Sequence, residues 1–227
     1  HGPGRTGLAG SIQFGNPELV AGQAFTVALT DPATTGLLLA RFDEVWDRYY
    51  ELEPDLPVAD SLGATFTTHL AVATLAVFEV LRDHGVDRNH AYEIIYDTGW
   101  RLYTTIGEPP LLVASAYTRD PAKRLKIATD LFRFFPFGEP GYRWEDVEGP
   151  PQIVGFDCVR CPVAEYFARQ DESELCVHTW CRLDFPLAEK WGGRLERTGT
   201  IASGAPRCDF RWHADVDDHK PPHGDER

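Results

Sequence analysis

GRLERTGTIASGAPRCDFRWH, residues 193–213, alternates twice. In the first half Leu195, Arg197, Gly199 and Ile201 alternate with Glu196, Thr198 and Thr200, a two-residue period that reads as a strand. Gly204 and Pro206 then supply a turn. In the second half Cys208, Phe210 and Trp212 alternate with Asp209, Arg211 and His213, the pattern of a half-buried strand. The two halves predict an antiparallel hairpin, so the C-terminal third is expected to build a sheet.

Upstream the period changes to that of helices. Leu38, Leu39, Phe42, Val45, Trp46 and Tyr49 recur every three or four residues, and Pro54 and Pro57 follow. A second helix is expected over Ala64–His84, stopped at Gly85. A third, capped by Asp87, runs towards Leu102 and should be broken by Pro109 and Pro110. A fourth starts at Pro121 and reaches Leu131. FRFFPFGEPGYRW (132–144) reads as an irregular aromatic segment or pocket wall. Ile153–Val159 suggests a buried strand and Pro162–Arg169 a short helix. Leu175–Trp191 reads as a helix with a break at Pro186. The expected fold class is therefore α+β, an N-terminal helical layer packed on a small antiparallel sheet from the C-terminal third. Its division is an extended arm over 1–30, one domain over 31–213 and a disordered tail over 214–227.

The chain has 227 residues, enough for one sizeable core, and its 43% hydrophobic and 25% charged residues are those of a globular domain. A net charge of −13 without a basic patch argues against nucleic acid and anionic lipid as partners. The longest apolar run, Leu70–Val80, is interrupted by Thr74 and Glu79 and is short for a bilayer, so no membrane is expected. No basic segment leads into an apolar one at the start, and no secretory signal is expected. The partner left is a small molecule, with a homodimer as one expectation for assembly.

All five cysteines, Cys158, Cys161, Cys176, Cys181 and Cys208, lie in the last third. An odd count in a chain of this size favours a reducing compartment, here the cytoplasm, and functional or metal-binding thiols. Cys158 and Cys176 read equally well as small buried hydrophobes. Cys181 stands in HTWCRLD, with His178 and Asp184 three residues to either side. On a helix those positions share a face, where an imidazole could activate a thiol and a carboxylate could orient it. Arg197 falls in the apolar alternation and should point inward, towards Asp184, Asp209 or a substrate carboxylate. His69, in an apolar helix, is either scaffold or a pocket residue. Phe135, Phe137, Tyr142 and Trp180 are the aromatics expected to line the pocket.

RCPVAEYF, CRLD and RTGTIASGAPRCDFRWH, taken together, resemble the L-2-amino-thiazoline-4-carboxylic acid hydrolase family over residues 150–213, with a looser likeness from Thr35 to Phe137. Cys161, Cys181, Asp184, Arg197, Thr198, Gly204, Cys208 and Asp209 match the family pattern; Cys158 and Cys176 do not. The resemblance implies hydrolysis of a small cyclic C=N or C–N bond in an amino-acid-like substrate, without a cofactor. Cys181 or Cys161 would be the nucleophile and Asp184 would position water or a proton. Arg197 would clamp a carboxylate, and Thr198, Cys208 and Asp209 would complete the substrate site. The architecture is also similar to the ligand-binding domains named after vinyl reductase. That likeness implies a sensor module in which Cys161, Cys181 and Cys208 hold zinc.

Overall fold

The computed structural model describes residues 36, 40–56 and 60–214. The expected arm over 1–30 lies outside them, as does the expected tail beyond Ala214.

Among the described residues four helices form the first layer: α1 (Phe42–Leu52), α2 (Leu62–Asp83), α3 (Arg88–Tyr117) and α4 (Pro121–Phe134). Their starts are written in the sequence. The Ser61 hydroxyl accepts the Ala64 N–H, the Asp87 carboxylate that of His90, and the Asp120 carboxylate that of Lys123. Each cap satisfies a backbone donor that the first turn leaves without a partner. Pro121 sits in the first turn of α4, where its missing N–H costs nothing.

α2 is the centre of the layer. Ala71, Val72, Leu75 and Ala76 are fully buried among α1, α3 and the later helix Pro162–Arg169. By length and hydropathy α2 also passes for a membrane-crossing helix, but most of its apolar window is inside the fold. A helix packed on several sides carries apolar residues all round.

α3 does not stop at Pro109 and Pro110 but runs to Tyr117. Each internal proline costs about 3 kcal/mol in helix propensity. Packing offsets that cost: Pro110 and Ala114 are buried, and the Trp191 indole N–H donates to the Gly107 carbonyl at 3.1 Å. Gly107 is there because a Cβ would come within 2.8 Å of Leu187 Cδ1.

The second layer is one antiparallel sheet in the order β1-β2-β4-β3, built from β1 (Arg143–Val147), β2 (Ile153–Arg160), β3 (Gly193–Glu196) and β4 (Cys208–Ala214). β1 overlaps the segment expected to be irregular only at Arg143 and Trp144 and continues to Val147. Phe156 pairs with Phe210 and Cys158 with Cys208 across β2 and β4. The hairpin pairing of β3 with β4 is as expected, but β3 ends at Glu196. Beyond it the Asp209 carboxylate accepts the N–H groups of Thr198 and Gly199, lifting them out of the ladder. Ile201–Ser203 then winds into a 3₁₀ turn.

Between β2 and β3 lie α5 (Pro162–Arg169), α6 (Ser173–His178), a 3₁₀ turn (Cys181–Leu183) and α7 (Asp184–Lys190). The expected helix over Leu175–Trp191 breaks at Thr179–Trp180, not at Pro186. Pro186 falls in the first turn of α7, where proline is tolerated.

The 135–141 segment is fastened to the start of α2. A Cβ on Gly63 would lie 2.1 Å from the Pro136 carbonyl oxygen, a backbone atom that cannot swing away. Gly63→Ala should therefore destabilise the fold by about 1–3 kcal/mol, as overpacking does. Urea unfolding with an unchanged midpoint would contradict this.

Candidate functional site

A cavity of about 90 Å³ lies between the helices and the inner sheet face. All five cysteines line it, brought there by different elements: Cys158 on β2, Cys161 before α5, Cys176 on α6, Cys181 in the 3₁₀ turn and Cys208 on β4. Asp184, Arg197, Tyr103 and Tyr142 share the wall, with a floor of Phe156, Phe210, Trp212 and Trp191.

The charged pair is almost dry: the Arg197 side chain is 5% exposed and that of Asp184 13%. Arg197 Nη1 donates to Asp184 Oδ2 at 2.6 Å, and its Nη2 donates to the Cys181 carbonyl at 2.7 Å. Tyr103 Oη donates to Asp184 Oδ1 at 2.6 Å. Burial pushes the Asp184 carboxyl above the ordinary range despite the Arg197 charge and these hydrogen bonds. Phe185 and Phe210 flank the guanidinium at 5.0 and 5.1 Å. Each terminal nitrogen of Arg197 thus spends one N–H within the protein, and the guanidinium lends the cavity a fixed positive charge.

The thiols divide by environment. Cys158 donates to the Arg160 carbonyl at 3.1 Å, and burial raises its pKa. Cys161 caps α5, its sulfur accepting the Ala164 N–H at 3.4 Å, and burial raises it too. Cys208 accepts the Ile201 N–H at 3.2 Å and is pushed up to about 12 by burial. Cys181 alone moves down. A hydrogen bond from Cys176 is the largest cause, overcoming burial with help from the Arg197 charge and the Thr200 hydroxyl. Cys176 stays protonated as the donor, its pKa raised by that same bond and by burial. Of the five thiols, Cys181 is thus the one whose pKa is lowered.

Several expected residues lie elsewhere. His178 ends α6 and is exposed, stacked on the Tyr92 ring at 4.9 Å. The helix break at Thr179–Trp180 turns it away from Cys181, and it does not line the cavity. His69 hydrogen-bonds Tyr49 Oη at 2.6 Å between α1 and α2, a scaffold role, and burial lowers its pKa. Thr198 and Asp209 bond each other at 2.6 Å and shape the loop after β3 without lining the cavity. Phe135 is 39% exposed and outside the wall, whereas Phe137, Tyr142 and Trp180 are part of it. Cys161, Cys181 and Cys208, the expected zinc set, share the cavity. Among the described residues, however, no three His, Cys, Asp or Glu side chains gather so as to hold a metal ion. Cys158 and Cys176 belong to the wall after all. Tyr103, Thr200 and the donor role of Cys176 were not anticipated.

A helical layer on a four-stranded antiparallel sheet, enclosing a sulfur-lined cavity with one buried acid–guanidinium pair, defines a small α+β protein with a thiol pocket. Its family is the one described as L-2-amino-thiazoline-4-carboxylic acid hydrolase, whose model matches residues 68–212, and the chain belongs to it. No curated protein and no solved structure matches the chain.

Proposed function

We propose that this chain is a thiol-dependent hydrolase that opens a small cyclic C=N or C–N bond, of the thiazoline or cyclic amidine kind, in an amino-acid-like substrate. The observation that carries the reading is the setting of Cys181, a half-buried cysteine at the cavity wall it shares with Cys176, Arg197 and Asp184. The family name supports the reaction class.

In this reading the Cys181 thiolate adds to the ring carbon of the C=N bond. A C–S bond forms and the π pair moves to nitrogen, which takes a proton from a water oriented by the Asp184 carboxylate. A lone pair of the other heteroatom on that carbon, the ring sulfur or the second amidine nitrogen, then expels the amine as the ring C–N bond breaks, and the amine takes a second proton from solvent. Water then attacks the sulfur-bound carbon, giving it a C=O and releasing Cys181 as thiolate. The two protons of that water replace the two taken up by nitrogen, so the net reaction consumes one water. Arg197 stabilises the thiolate and holds Asp184 in place, with Tyr103 on its other oxygen. The Arg197 charge also favours an anionic substrate.

The pH dependence follows from the thiolate. Rate should rise with pH as Cys181 deprotonates, with its ascending limb below the ordinary thiol range of about 8.5. Cys176→Ala removes the donor that draws Cys181 down, so the limb should move to higher pH while the plateau stays near wild type. Cys176→Ser, which still donates, should move it less. Profiles of kcat/KM against pH that coincide for all three proteins would contradict the thiol–thiol coupling.

A further inference from the structure

A second cavity of about 90 Å³ lies between α2 and α3 and shares Tyr103, Phe137 and Trp180 with the first. Its remaining wall is apolar, with Leu70, Val77, Ile95, Leu102, Ile106 and Leu183. Threonines also line it, but their hydroxyls are committed. Thr67 donates to the Gly63 carbonyl, Thr98 to that of Ile94 and Thr179 to that of Leu175. Thr74 donates to the Leu70 carbonyl and accepts the Trp180 indole N–H. No donor is left to recognise a sugar, a phosphate or a second carboxylate, and an apolar cavity of this kind tends to stay dry.

We propose that this chamber receives a short alkyl substituent of the substrate, so that the preferred molecule is a ring acid carrying an apolar tail rather than the bare ring acid. The inference rests on the hydrolase reading for the position of the ring. A ring beside Cys181 and Asp184 lies next to Tyr103, and Tyr103 is the wall of the apolar chamber as well as the hydrogen-bond partner of Asp184. A cavity of roughly 150 Å³ admits benzene, so about 90 Å³ suits about four carbons. The matched family accounts for the ring; the chamber accounts for what is attached to it.

The experiment is a series of ring acids with substituents from hydrogen to hexyl, tested on the full chain. Preference should climb about fourfold in kcat/KM per added methylene to near four carbons and then fall. Ala73→Leu, which fills the chamber, should bring the butyl-to-hydrogen ratio back to about one. Gly99→Ala is the gentler variant, since its Cβ would meet only Leu183 Cδ1 at 3.4 Å, and should shorten the best tail by about one carbon. A flat or falling series in the wild type, or ratios unchanged in both variants at unchanged melting temperature, overturns the chamber. Calorimetry separates this from failure of the hydrolase reading. Tighter binding of the butyl than the unsubstituted acid, lost in Ala73→Leu, supports the chamber even if neither compound is hydrolysed. Equal affinities sink it.

Discussion

Cys181→Ala should lower kcat/KM for a thiazoline or cyclic amidine acid by a thousandfold or more while leaving the fold intact. The size follows from removing a covalent nucleophile from a set of groups that act together. The fold should survive because Cys181 is a half-buried side chain at a cavity wall, and its carbonyl, which takes the Arg197 hydrogen bond, belongs to the backbone. Cys161→Ala is the control. It loses a sulfur cap on α5 and a little stability, and its rate should fall less than tenfold. Iodoacetamide should label Cys181 before the other four, since only its sulfur is held towards thiolate. Full turnover by Cys181→Ala, or first labelling at Cys161, would falsify covalent catalysis at Cys181.

Arg197→Met should cost about 3–5 kcal/mol, because it leaves the Asp184 carboxylate buried without its counter-charge. It also removes a charge that favours the Cys181 thiolate, so iodoacetamide labelling should slow and the ascending pH limb should move up. Stability and chemistry can be separated. Arg197→Met combined with Asp184→Leu replaces a buried pair by apolar side chains, and such replacements are often neutral. The double variant should regain most of the lost stability in urea unfolding and none of the lost activity. A double variant as unstable as the single one would show that Asp184 is not the group the guanidinium compensates. Recovery of activity would remove both residues from the reaction.

Periodicity made the layers legible, because amphipathic helices and alternating strands record burial directly in residue spacing. It failed where distant parts of the chain decide the outcome. Nothing local tells that Pro109 and Pro110 can stay helical; the reason is Trp191, whose indole N–H reaches the Gly107 carbonyl from the residue that follows α7. His178, Cys181 and Asp184 looked convergent at helical spacing, and the break at Thr179–Trp180 sends the imidazole to Tyr92 and the thiol to the cavity. Arg197 reads as inward because a charge among apolar alternation needs a partner, and Asp184 is one that the sequence offers. Its commitment to the Cys181 carbonyl could not be read, since a backbone acceptor leaves no trace in composition. Tyr103 stands 81 residues before Asp184 and looks like any aromatic on a helix face. Cys176 lies outside the family pattern, and its role as a donor to Cys181 exists only once α6 and the following turn have folded together.

The two chambers meeting at Tyr103 divide the chain's inheritance. Every sulfur, the acid and its guanidinium come from the stretch between Cys158 and Cys208, while the chamber between α2 and α3 is walled mainly by side chains from Phe66 to Ile106. Drift in the helical half can therefore resize what the pocket admits without disturbing the groups that react. Related chains could diversify their diet through single changes on two helices while keeping one chemistry.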